Sequence, residues 1–99
     1  MDNPSEIEQM LKLLGPNWVG SSEGYALRRT GRTSLLYSEG GKELSVEVEP
    51  GDGLAIYVQT VVSWRPPHQD EPLRSTDRQR IVARILEALR HMGIEAILA

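Results

Sequence analysis

The chain has 99 residues, 39% of them hydrophobic and 25% charged, with a formal net charge of −3. This is ordinary globular composition for one domain over residues 1–99, and it excludes a disordered or fibrous protein. The absence of cysteine excludes disulfides and thiolate metal sites, and the acidic balance argues against a general nucleic-acid role.

Two Trp, three Tyr and no Phe leave the core to Leu, Ile, Val and Ala. A secreted domain this small often needs covalent staples, so a reducing cytoplasm is the expected compartment. The stretch MDNPSEIEQM is acidic and lacks the apolar segment of a signal peptide. No apolar run approaches the ~20 residues that span a bilayer. The charge is uneven: residues 42–53 carry four acids and one base, residues 73–99 five arginines and three acids.

In chain order, Asn3-Pro4-Ser5-Glu6 reads as a helix start. Ile7, Met10, Leu11 and Leu14 fall at helical spacing before Gly15-Pro16, which predicts a first helix over residues 4–14. Strands are expected over residues 25–29, 34–38, 44–49 and 54–64. Turns separate them at Thr30-Gly31-Arg32, Glu39-Gly40-Gly41-Lys42 and Pro50-Gly51-Asp52-Gly53. The segment RPPHQDEP is a loop, because three prolines in eight residues forbid regular structure. A second helix follows, with Thr76 and Gln79 fitting a capping box and Ser75 as a rival cap. Its apolar stripe is Ile81, Val82, Ile85, Ala88, Leu89 and Met92, and Gly93 suits its end. Residues 94–98 form a last strand at the sheet's edge. The expected fold is α+β: an antiparallel meander with helices on one face, in the order α-β-β-β-β-α-β.

Alternation in KELSVEVE turns Leu44, Val46 and Val48 inward and Glu43, Glu47 and Glu49 outward. The neighbouring strand is expected to turn Val58, Val62 and Trp64 inward and Tyr57 and Val61 outward. A solvated face with acids that discourage edge pairing is one reading of this surface. A protein interface is the other, since clustered like charge beside an aromatic suits a cationic partner. On the second helix, Arg80, Arg84, Glu87 and His91 lie opposite the apolar stripe, where Arg84–Glu87 and Glu87–Arg90 pairs are the ordinary expectation. Neither histidine has a metal-ligand spacing, no serine sits in a nucleophile elbow, and no glycine loop leads into a helix. The residues therefore point to no enzyme, metal or cofactor.

A strand ending in VSW, a proline-containing acidic loop and then STDRQRIVARILEALRHMGIEAIL resemble the immunity proteins of bacterial polymorphic-toxin and contact-dependent inhibition systems. The similar family is immunity protein 74, over residues 54–99. The resemblance implies a cytoplasmic monomer that forms a 1:1 heterodimer with a cognate toxin domain, often a nuclease such as a tRNase. It would cover the toxin's active site or substrate groove, with no catalysis of its own. Nucleases need cationic surfaces, so carboxylates can stand in for phosphates. The toxin-binding candidates are Glu43, Glu47, Glu49 and Asp52, with Tyr57 as an apolar anchor and Asp70 and Glu71 as a second acidic patch. Two other functions fit the pattern: a small nucleic-acid-binding module using Arg78, Arg80 and Arg84, and an acidic secretion-type chaperone.

Overall fold

Glycine, proline and asparagine punctuate the first half of the chain into short strands. The computed structural model describes residues 11–99. Strands β1 (Leu11–Gly15), β2 (Trp18–Ser21), β3 (Tyr25–Gly31), β4 (Ser34–Glu39), β5 (Lys42–Pro50) and β6 (Leu54–Ile56) form an antiparallel meander. A single 3₁₀ turn, Val58–Thr60, a loop and the helix α1 (Ser75–His91) lead to β7 (Ala96–Leu98). β7 pairs parallel to β6, so the strand order across the sheet is the order in the chain. A parallel partner requires a crossover, and α1 is that crossover. The fold is mixed α+β, as the sequence implied.

The glycine turns behave as their chemistry requires. Gly40 (φ 57) and Gly41 (φ 79) close the β4–β5 hairpin between Glu39 and Lys42, a two-residue turn that needs positive φ at both positions. The helix ends at Gly93 (φ 77), where the Ile94 amide reaches back to the Leu89 carbonyl and the Gly93 amide to Arg90. Those bonds cap carbonyls that the last turn leaves open.

One face of the sheet is covered by α1, which lies against β2, β3 and β7. Val19, Leu27, Tyr37 and Leu44 share one cross-strand row, and all are buried. Val46, Val48, Leu54 and Ile56 extend the core, and Ile81, Ile85, Ala88 and Leu89 close it from the helix. The predicted stripe is therefore the buried face, with Val82 and Met92 at its margin.

Four expectations change. Of the expected first helix, residues 4–10 lie outside the described residues, and residues 11–14 are strand, paired with β2. Gly15-Pro16 does not stop a helix there. With Asn17 at φ 59 it turns a hairpin, and Asn tolerates that left-handed conformation. Strand β2 went unread because its four residues, WVGS, show too little alternation to register.

The long strand expected over residues 54–64 ends at Ile56. The 3₁₀ turn then rotates the chain, so Val61 is buried and Val62 is 60% exposed, the reverse of simple alternation. Thr60 fixes this turn: its hydroxyl donates to the Tyr57 carbonyl (2.6 Å) and accepts from the Glu47 amide (3.0 Å). A side chain thus takes the place of the next backbone acceptor for β5. Trp64 keeps its expected place in the core. Finally, the helix cap is Arg74, two residues before the predicted Thr76 and one before its rival Ser75, and its amide donates to the Asp77 carboxylate at 2.9 Å.

The Val61–Val62 reversal is testable by substitution. Val61→Ala is expected to cost about 2 kcal/mol, from lost burial plus a cavity, whereas Val62→Ala should stay within roughly 0.5 kcal/mol of wild type. Urea denaturation measures both.

Candidate functional site

The face of the sheet away from α1 is read directly from the register. One row crosses the strands as Lys12, Gly20, Ala26, Ser38 and Glu43. The next carries Trp18, Arg28, Leu36 and Ser45. Glu47 stands opposite Ser34, and Glu49 opposite Ala55. Small side chains in the first row leave a groove of about 770 Å³ between Lys12 and Leu14 on one side and Glu43 on the other. Leu14 overhangs it: a Cβ on Gly20 would come within 2.7 Å of the Leu14 side chain.

The expected carboxylate face is present. Glu43, Glu47 and Glu49 are exposed, while Leu44, Val46 and Val48 between them are buried. Asp52 is exposed in the β5–β6 turn, close to this row in the chain. Tyr57 joins them through a short hydrogen bond from its hydroxyl to Glu49. That acceptor first, then desolvation and the charges of Glu49 and Glu47, hold the phenol above its usual range. Tyr57 therefore presents a ring whose polar end is already occupied. Val61, expected beside it, is in the core instead.

The second acidic patch is different in kind. Glu71 accepts from Lys42 at 2.9 Å and contacts the His68 ring at 2.8 Å. These contacts, Lys42 first, keep its carboxyl below the ordinary range. Lys42 also lies 5.2 Å from the centre of the Trp64 ring. Glu71 thus clips the proline loop to the start of β5, and its charge is balanced internally. Asp70 is exposed beside it.

The helix arginines do not form the expected pairs with Glu87. Arg80 and Arg84 reach across to Glu39 at the end of β4. Arg80 donates through both Nη2 (2.6 Å) and Nε (3.3 Å), and Arg84 through Nη1 (3.0 Å). The buried Tyr37 hydroxyl donates to the same carboxylate at 2.6 Å. Arg80 also holds Asp77 at 2.9 Å, and the Arg84 guanidinium lies 4.7 Å from the centre of the Tyr25 ring. Burial alone would raise the Glu39 carboxyl, but the donors Tyr37 and Arg80 prevail and hold it low. Burial pushes Tyr37 strongly upward. Two of the three arginines suggested for nucleic acid are thus engaged within the fold.

This network has a pH signature. A carboxylate held lower in the folded than in the unfolded state stabilises the fold above its unfolded value. That stabilisation disappears as pH falls through the folded value. Glu39, Asp77 and Glu71 all have this sign. Thermal stability should therefore fall on acidification below the ordinary carboxylate range. Glu39→Gln should flatten part of that limb and cost roughly 1–3 kcal/mol at neutral pH. Melts across pH in the two proteins check both expectations.

No helix among the described residues is long and apolar enough to cross a membrane. Comparison with known proteins gives one family: the model described as Immunity protein 74 matches residues 29–98. The match begins in β3, well before the region of resemblance read from the sequence, and runs through β7. No curated protein and no solved structure matches the chain.

Proposed function

The chain belongs to the Immunity protein 74 family, and we propose that it binds and neutralises a toxin domain through the outer face of its sheet. The toxin is a nuclease, for example a tRNase delivered by contact-dependent inhibition. The complex is a 1:1 heterodimer formed in the bacterial cytoplasm. The chain acts by occupancy, and needs no catalysis or cofactor for it.

The observation that carries this reading is the carboxylate row of β5. Glu43, Glu47 and Glu49 project from a strand whose other side is locked in the core. Glu47 and Glu49 lie two residues apart, about 7 Å by the strand rise, similar to the spacing of successive phosphates. Like charges held on one face repel, and a cationic groove relieves that cost. Such a surface raises the association rate by long-range attraction, and salt screens it. Tyr57 joins the row through its hydrogen bond to Glu49, and Asp52 is exposed in the turn that follows β5. Asp70, exposed beside the internally paired Glu71, adds to the general field.

Arg80 and Arg84 are tied to Glu39, which disfavours the nucleic-acid alternative. An acidic export chaperone remains as the competing class, and its partner would be an extended segment rather than a folded domain.

The test pairs this chain with the toxin domain encoded next to its gene. Co-expression should restore growth of cells producing that domain. Replacing Glu43, Glu47 and Glu49 with Gln should slow association with a catalytically inactivated toxin by about tenfold or more at low salt, and flatten the salt dependence. Failure of co-expression to restore growth, together with no complex in stopped-flow or surface plasmon resonance, overturns the proposal.

A further inference from the structure

The outer face is not acidic throughout. Beside the carboxylates lies an apolar patch that composition does not reveal. Leu14 is 47% and Trp18 37% exposed, and Leu36 is partly exposed in the same row as Trp18. The Arg28 guanidinium lies 5.7 Å from the centre of the Trp18 ring, in that row. The groove over Gly20, Ala26 and Ser38 opens next to them.

We infer that Trp18, with Leu14, Leu36 and Arg28, is the energetic centre of the toxin-binding surface, and that the carboxylates of β5 form its rim. The inference rests on the immunity reading and specifies its partner. The toxin surface carries a protruding apolar side chain that enters the groove beside Trp18. Lys and Arg side chains stand around it to meet Glu43 and Glu47, and a carboxylate meets Arg28.

Three physical arguments support this. Binding energy concentrates in a few desolvated Trp, Tyr and Arg side chains, while exposed rim charges mainly set association rate. Trp18 is a flat, rigid ring beside a concavity, the geometry of such an anchor. Charge pattern selects a foreign partner over a second copy of this chain. The face sets three exposed glutamates of β5 against two cations, Lys12 and Arg28, so its excess charge is negative; a second copy would add to it and a basic partner neutralises it. A partner with a basic rim and an acid opposite Arg28 meets the three glutamates and Arg28 with their opposites.

The experiment measures the kinetics of Trp18→Ala, Trp18→Phe and Leu14→Ser proteins on the inactivated toxin domain encoded by the adjacent gene, by surface plasmon resonance at two salt concentrations. Both positions are partly exposed, so thermal melts should match wild type. Trp18→Ala should weaken binding about tenfold or more through faster dissociation, with the salt slope unchanged. Leu14→Ser should weaken it less, and Trp18→Phe should retain most of the affinity. If Trp18→Ala binds within about twofold of wild type while the glutamate-to-glutamine protein binds slowly, this inference fails and the immunity reading stands. If wild type neither binds nor protects, both fall. Sedimentation of the chain alone supplies the remaining outcome. A concentration-dependent dimer that Trp18→Ala abolishes makes this face a contact between copies, and overturns the inference.

Discussion

Strand β5 cannot bury Leu44, Val46 and Val48 without turning Glu43, Glu47 and Glu49 to the opposite face. A period of two residues allows no other arrangement. The strand is also the hinge of the whole sheet, since its first half pairs with β4 and its last residues with β6. A slip of one residue would expose the core and bury the acids together. The charged surface is thus held by the hydrophobic effect acting on the other side of the same strand. This is how a small domain keeps repelling side chains in fixed positions.

The covering helix is held by a different interaction. Burial of Ile81, Ile85, Ala88 and Leu89 sets which face of α1 meets the sheet. Apolar packing is non-directional, and it leaves the axial position of a helix loosely defined. Glu39 supplies direction. Three donors converge on its carboxylate, two of them from successive turns of α1 and one from the core residue Tyr37. The pairs are half-exposed, so their net contribution to stability is modest. Their geometric contribution is larger: they tie α1 to the end of β4, on one face of the sheet, and among the described residues no element covers the opposite face.

Local chemistry was legible in the sequence wherever it had one solution. Gly40-Gly41 and Pro50-Gly51-Asp52-Gly53 allow only tight turns between alternating runs, and β3, β4 and β5 followed. The alternation of β5 revealed the carboxylates by number. Gly15-Pro16-Asn17 was ambiguous, because the same residues end a helix or turn a hairpin. Leu11 and Leu14 happened to suit the helical option. The end of β6 was hidden for another reason. Residues 54–64 are continuously rich in β-forming side chains, and the strand is broken by the two side-chain hydrogen bonds of Thr60 together with the backbone bonds of the 3₁₀ turn. Glu39 was read as a turn residue and nothing more, since a contact between positions 39 and 80 leaves no local pattern. Trp18 was missed for the same reason. Its neighbours on the face, Arg28 and Leu36, come from two other strands.

On this reading the molecule works through the face of its sheet opposite α1, organised around β5. Nuclear magnetic resonance of the isotopically labelled chain, titrated with the unlabelled inactive toxin domain, tests it most directly. The account requires that the largest shifts fall on the Trp18 indole and on the amides of β3 to β5 flanking Arg28, Leu36 and Glu47, with α1 little changed. Shifts concentrated instead on the far flank of α1, around Gln79, Val82 and Leu86, would contradict it.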